Sequence, residues 1–299
     1  SSITAAISEA EKSAGVPIKK VTVGIAGKHI RSLQHSDYIM RENPEAYITE
    51  DDIEALKDQV KKLVMLPGEE IIHVLPQEYK VDSEGEIQEP IGMHGKRLEA
   101  NFHVVVGQMG SIRNIARCVK EAGLEMEALT LEPLASSEAV LTKEEKEAGV
   151  AIVDIGGGTT DLAVFYEGIL KHTAVIPFGG ENITNDIKTG LGVLKTQAEQ
   201  MKVQFGSALS DEAKSNAFIT IPGLRGMAPK EISVKNLAGI IQARMSEIMD
   251  FVTYHLKQVG LDTRMLNGGV ILTGGGSQLK HLIQLTEYVT GLNARIGYP

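Results

Sequence analysis

Eight residues constrain this chain more than any others: Asp154-Ile155-Gly156-Gly157-Gly158-Thr159-Thr160-Asp161. The apolar, β-branched run Val150 to Ile155 enters the glycines and Leu162 to Phe165 leaves them, so the segment reads as two strands joined by a tight turn. Glycines let the main chain approach a ligand closely and turn a row of N–H groups toward an anion. Thr159 and Thr160 can add hydroxyl donors, and Asp154, at the end of its strand, is placed to hold Mg²⁺ through water, since hard cations take oxygen ligands. A polyphosphate suits this arrangement. No lysine follows the last glycine, as a Walker loop requires, and a strand rather than a helix comes next, which excludes the dinucleotide fingerprint. The competing reading is a tight hairpin with ordinary acidic flanks, and three consecutive glycines between two apolar strands weigh against it.

The rest of the composition narrows the class. A chain of 299 residues, 42% hydrophobic and 23% charged, is long enough to bury a substantial core. Its net charge of -9 opposes contact with nucleic acid, and the longest basic runs are pairs such as Lys19-Lys20 and Lys61-Lys62. No apolar run reaches the ~18 residues of a membrane span, and no signal peptide is visible, so the chain reads as cytoplasmic. The single cysteine, Cys118, lies in the helical stripe Ile112-x-x-Ile115-Ala116-x-x-Val119 and is expected to fill core. The chain starts without methionine, inside a helical pattern with Ile3, Ile7 and Ala10 in phase, and is expected to be a piece of a longer protein.

Periodicity places the remaining elements. Val21–Ile25 reads as a strand, followed by a polar stretch to about residue 48. Thr49 and Asp52 form a capping box for a helix with Ile53, Leu56, Val60 and Leu63 on one face, stopped by Pro67-Gly68. Strands follow over 71–81 and 102–106, then a helix over 111–123. From Gly149 an antiparallel meander over 150–155, 162–165 and 169–176 passes through Gly179-Gly180 into a helix around 181–189. Helices are expected over 196–205 and 235–257, the longer with Leu237, Ile241, Met245, Ile248, Val252 and Leu256 in one stripe. A strand at 269–272 enters Gly274-Gly275-Gly276-Ser277 and a helix to about Val289.

Two glycine turns, one between strands and one from strand to helix, resemble the phosphate and adenosine sites of the actin and heat-shock-chaperone ATPase superfamily. The resemblance implies an α/β fold of duplicated, ribonuclease H-like halves. It assigns Gly274, Gly275, Gly276 and Ser277 to the base and ribose, and adds Gly179 and Gly180 to the hairpin as ATP-binding residues. Leu131-Glu132-Pro133-Leu134-Ala135 resembles the segment that joins the halves, where the glutamate orients the attacking water; a helix N-terminal charge explains Glu132 as well. Ala198-Glu199-x-x-Lys202 resembles a helix that contacts ribose and adenine, although Thr196-x-x-Glu199 also reads as a capping box.

Ala26-Gly27-Lys28-His29-Ile30, His73-Val74-Leu75-Pro76-Gln77-Glu78-Tyr79 and Ala135-Ser136-Ser137 resemble the FtsA family of bacterial cell-division actin homologues. So do Val153 to Ala163, Lys171-His172-Thr173-x-Val175-Ile176-Pro177 and Ile271-Leu272-Thr273-Gly274-Gly275. That likeness implies an ATP- and Mg²⁺-dependent adaptor that polymerises and links the FtsZ ring to the inner face of the cell membrane at the division site, a slow ATPase at most. It divides the chain into the end of the first half (1–20), a small α+β insert (21–130), a return segment (131–148), the second half (149–190), a helical subdomain (191–258) and an adenosine-binding part (259–299). The insert would serve filament contacts and recruit later division proteins. The 191–258 region would receive the acidic FtsZ C-terminal tail, with Lys230 and Arg244 as cationic partners or as a plain solvated face. The family's first phosphate loop and its C-terminal amphipathic membrane helix have no counterpart in these residues, so weak nucleotide binding and no membrane binding are expected. A small-molecule kinase would need a sugar-binding cluster and a base, and a chaperone-like ATPase a peptide-binding β-domain; neither is visible. A pilus or secretion adaptor is disfavoured by the Gly-Lys-His-Ile and Pro-Gln-Glu-Tyr motifs.

Overall fold

A computed structural model of the chain describes residues 2–27, 29–222, 228–258, 260 and 263–299, so Lys28 of the Gly-Lys-His-Ile motif lies outside the described residues. Two units separate, one through Ala135 and one from Ser136 to Pro299, the division falling inside the helix Glu132–Val140.

The first unit runs through α1 (Ser2–Ala14), β1 (Lys20–Ile25), β2 (Ile30–Met40), α2 (Glu50–Lys61), β3 (Glu69–Val81) and β4 (Glu84–Ile87). It continues with β5 (Arg97–Gln108), α3 (Met109–Glu121), β6 (Glu125–Leu131) and the start of α4 (Glu132–Val140). β5 lies inside a sheet of order β2-β5-β3-β4, antiparallel to both neighbours. Its composition explains the position: Leu98, Ala100, Phe102, Val104 and Val106 are buried and pack in one cluster with Leu56 and Val60 of α2. The predicted cap of α2 is present, with Thr49 N–H donating to Asp52 Oδ2 at 3.0 Å. A separate parallel pair joins β1 to β6, ending at Ile25 opposite Leu131. His73 Nε2 accepts from Leu131 N–H at 3.1 Å, which requires a neutral ring, and burial lowers the pKa of this histidine accordingly.

Arg41 fastens the connection after β2. Its guanidinium donates to the carbonyls of Tyr47 (2.7 Å), Gly95 (2.8 Å) and Ala46 (3.1 Å), with Asp52 Oδ2 3.2 Å from Nε.

Three expectations are corrected here. The stretch after Ile25 is not merely polar: β2 is an 11-residue strand. It is an edge strand with one covered flank and no fully buried residue, so it carries no apolar alternation for a periodicity test to find. β6 went unread because its pairing partner lies a hundred or so residues earlier, beyond any local signal. Cys118 is exposed, not core: the buried residue of α3 is Val119, which shares a helical face with Ile112 and Ile115 and leaves Cys118 a third of a turn away.

The second unit contains α5 (Lys143–Ala148), β7 (Val150–Ile155), β8 (Thr160–Tyr166), β9 (Ile169–Ile176), α6 (Gly180–Leu191) and α7 (Lys195–Phe205). Beyond them come β10 (Phe218–Ile221), β11 (Lys230–Ser233), α8 (Val234–Gln258), β12 (Gly269–Thr273), α9 (Leu282–Thr290) and β13 (Ala294–Ile296). Among the described residues, its main sheet has the order β13-β12-β7-β8-β9. β13, β12 and β7 run parallel, while β8 and β9 form the antiparallel meander that the glycine turns predict. α8 buries its entire predicted stripe, joined by Ala238 and Met249. Each large apolar side chain so buried contributes roughly 2 kcal/mol, which fixes α8 beneath the segments that form the site.

One contact within this unit makes its stability pH-dependent. His172 of β9 faces His255 of α8, Nε2 to Nδ1 at 3.3 Å. Burial, and secondarily the charge of His255, lower the His172 pKa from 6.5 to about 4. Between those values the unfolded chain binds a proton that the native chain refuses, so stability present above pH 6.5 is lost as pH falls toward 4. After discounting for solvent screening, the loss is about 2 kcal/mol. His172→Gln should flatten the pH 6.5-to-4 slope of urea-unfolding free energy relative to the parent chain; an unchanged slope would remove this pair as its source.

Candidate functional site

The glycine hairpin is anchored from beneath by α6. Gly180 N–H donates to Gly156 O at 2.9 Å and Glu181 N–H to Gly157 O at 2.8 Å, so the hairpin carbonyls satisfy the first donors of that helix. The approach requires Gly179, where a Cβ would stand 2.7 Å from both carbonyl oxygens. Turning the carbonyls toward α6 leaves the opposite side of the turn to its N–H groups. Among the described residues, those of Gly157, Gly158 and Thr159 donate to no backbone carbonyl. The hydroxyls are otherwise engaged: Thr160 Oγ1 donates to Phe178 O at 2.9 Å and Thr159 Oγ1 to Asp161 Oδ2 at 3.0 Å. Each hydroxyl has one proton, so as the hairpin stands its free donors are backbone groups.

Asp154 and Asp161 are cross-strand partners, which sets two carboxylates side by side on one face. Ser136 Oγ donates to Asp154 Oδ2 at 2.6 Å. Gly274 closes over the other oxygen: its φ of 80° and ψ of 173° belong to a region open essentially to glycine alone, and a Cβ there would lie 2.3 Å from Asp154 Oδ1. Ser277 is buried, and its hydroxyl donates to Gly274 O at 2.7 Å, holding the second glycine turn.

A cavity of about 810 Å³ opens between these parts, within the second unit. Gly156, Gly157 and Gly180 line it beside Gly275 and Gly276, and Glu199 and Lys202 of α7 face them. Asp154, Gly158, Thr159, Thr160, Asp161, Gly179, Gly274 and Ser277 are not part of that lining. Lining residues that sequence reasoning missed include Ile183, Thr184, Val203, Gln278 and Leu279. Ile183 and Thr184 sit on α6 where its helical face turns to the cavity, a position no motif marks.

Lys202 is the polar centre of the far wall. Its ammonium donates to Gly180 O and Thr184 Oγ1, each at 2.9 Å, and pairs with Glu199 at 2.8 Å, which uses all three protons. Burial pushes the Glu199 carboxyl up, but hydrogen bonds from Lys202 and Thr184 outweigh it and hold the pKa below the usual carboxylate range. The capping alternative for Glu199 is overturned. α7 begins two residues earlier than that reading needs, and Gln197 closes the turn by accepting from Leu194 N–H at 3.0 Å. Glu199 is thereby left to the cavity.

Three other residues stand elsewhere. Glu132 belongs to the first unit and opens α4 with its stem against Gly24, where a Cβ would come 2.8 Å from Glu132 Cγ. Arg244 on α8 is bound by Asp186 at 2.6 Å and also by Glu247. Lys230 in β11 donates to Leu191 O.

Residues 151–299 match the family model of cell division protein FtsA, and residues 27–106 that of the SHS2 domain inserted in FtsA. Over 298 residues the chain is 39% identical to cell division protein FtsA of Pseudomonas aeruginosa, covering 100% of this chain and 71% of that protein. The chain belongs to the FtsA family. Its FtsA relatives include those of Bacillus subtilis, 36% identical over 299 residues with 67% of that protein covered, and of Escherichia coli, 34% identical over 300 residues with 71% covered. This FtsA-family chain is accordingly a cell-division protein of actin-like fold with an SHS2 insertion. Solved structures agree on the fold: the PilM-PilN type IV pilus biogenesis complex superposes with a TM-score of 0.66 at 15% identity, over 99% of this chain and 74% of that one. MreB5 of Spiroplasma citri bound to AMPPNP gives a TM-score of 0.53 at 23% identity, over 63% of this chain and 59% of that one.

Proposed function

We propose that this chain binds ATP in the cavity of its second unit and uses it as a switch for assembly rather than as a reactant in metabolism. One observation carries the reading: the hairpin, the Glu199–Lys202 pair and the second glycine turn, dispersed in sequence, line one cavity of about 810 Å³, within the roughly 300–1,000 Å³ range of small-molecule sites. The hairpin N–H groups would meet phosphate, and Glu199 and the Gly275-Gly276 turn the ribose and base. Mg²⁺ fits the paired carboxylates as a water-mediated ion held by Asp154. Among the described residues no group of three or more His, Cys, Asp or Glu could encage it, and a bound cation would relieve the repulsion between Asp154 and Asp161.

In this reading the protein works as an FtsA-type adaptor at the inner face of the membrane. It polymerises, holds the FtsZ tail on the 191–258 region, and recruits later division proteins through residues 21–130. None of its described helices is long and apolar enough to cross a membrane, and the reading assigns attachment to an amphipathic C-terminal helix of the family type. Lys230 is the better cation for an acidic tail, because Arg244 is already neutralised by Asp186 and Glu247.

The test is equilibrium binding of a fluorescent ATP analogue with Mg²⁺, and of a labelled FtsZ tail peptide, to the intact protein. Lys202→Met should weaken nucleotide binding at least tenfold, the worth of ~1.4 kcal/mol, and Lys230→Glu should weaken the tail alone. Absence of saturable nucleotide binding by the parent protein would sink the switch. Tail binding indifferent to Lys230→Glu would move the tail site elsewhere.

A further inference from the structure

The cavity has two walls, α6–α7 on one side and the Gly275–Lys280 segment on the other, and their polar links gather at one corner. Just past α7, Ala208 N–H donates to Lys280 O at 2.8 Å, and Ser207 forms an isolated parallel bridge with Lys280. Ser207 Oγ then meets His281 Nδ1 at 2.9 Å. Gly206 allows the segments to close this far, since a Cβ there would stand 2.2 Å from Lys202 O and 2.9 Å from Leu279 Cδ2. Gly206, Leu279 and Lys280 all line the cavity, so this corner is part of its rim.

The hydroxyl at the corner is fully used. Ser207 is 5% exposed, donates to Leu209 O at 2.9 Å and accepts from Leu209 N–H at 3.3 Å. With its proton on Leu209 O, the donor in the remaining bond is His281 Nδ1–H. His281 pays for reaching this position with a left-handed backbone, φ 61° and ψ 17°, which L side chains avoid. A strained residue immediately after a lining residue, held by a buried hydroxyl from the opposite wall, is a fastening whose release widens the gap it spans.

We infer that the Ser207–His281 hydrogen bond is a latch between the two walls, setting how tightly the cavity closes and how long a bound ligand stays. The inference rests on the nucleotide reading of the cavity, and neither residue touches the ligand: both are positioning residues. Losing the latch leaves the phosphate and ribose contacts intact and lets them separate sooner, so the effect falls on departure rather than arrival.

The experiment is stopped-flow displacement of a fluorescent ATP analogue from the intact protein. Ser207→Ala should raise the dissociation rate about tenfold, the upper end for one hydrogen bond, with the association rate unchanged, and Ser207→Thr should restore the parent rate. His281→Asn, which tolerates the left-handed backbone but does not reach Ser207, should also release faster and serves if Ser207→Ala fails to fold. A purely structural role would lower the melting temperature without separating the two rates. If the parent protein binds no nucleotide, the reading of the cavity fails. If it binds and both variants release at the parent rate, the cavity stands and the latch is wrong.

Discussion

Gly274→Ala should cost the second unit about 3 kcal/mol and abolish detectable nucleotide retention. The backbone there, φ 80° and ψ 173°, is outside the range of alanine, a strain of order 1–3 kcal/mol by itself. The new methyl would also come within 2.3 Å of Asp154 Oδ1 and 2.7 Å of Ile155 O. A main-chain oxygen in the central strand cannot step aside as a flexible side chain does, so relief requires β12 and β7 to separate where Thr273 pairs with Asp154. Chemical denaturation followed by far-UV circular dichroism measures the first effect and filter retention of labelled ATP the second. Gly275→Ala is the matched control, because nothing lies within 4 Å of a Cβ at that neighbour. A Gly274→Ala chain as stable as this control would contradict the packing described.

Arg41→Met should cost the first unit about 3–4 kcal/mol, in the range for breaking a buried charge network. Arg41 is 9% exposed, and its guanidinium satisfies three carbonyls while pairing with Asp52. Methionine keeps most of the stem's packing, so the loss reports the polar contacts themselves. Removing the charge strands the carbonyls of Tyr47, Ala46 and Gly95 and unpairs the carboxylate that caps α2. Hydrogen exchange offers the sharpest measurement. The amide of Ile48, which donates to Met93 O at 2.8 Å, should lose most of its protection, and a protected Ile48 would show that the loop stands without Arg41.

What was legible in the sequence follows from the range over which each signal acts. The hairpin and its flanking strands are continuous apolar runs around a glycine turn, the α8 stripe is a pattern of period 3.6, and all stand where these local signals put them. β2 and β6 are defined by partners far along the chain, and their own residues are too polar or too brief to announce a strand. At the site, motifs located the glycines and the Glu199–Lys202 pair but not the hydrophobic lining. Ile183 belongs to the buried core as well as to the lining, and Val203 is largely exposed, so neither carries a pattern that marks a ligand contact. Hydroxyl roles were the least legible: Thr160 looked like a ligand donor in sequence, yet its proton goes to Phe178 O.

The hydrogen bonds from α6 to the hairpin have a mechanical consequence. Gly180 and Glu181, at the head of α6, grip Gly156 and Gly157, while Asp186, six residues on and about 9 Å along the axis, grips Arg244 of α8. Arg244 in turn stacks its guanidinium 5.4 Å from the ring of Phe178, the residue whose carbonyl holds Thr160. A lever clamped at both ends cannot be tilted at one of them alone. Moving the glycine turn therefore means either dragging the exposed flank of α8 with it or breaking one of these bonds.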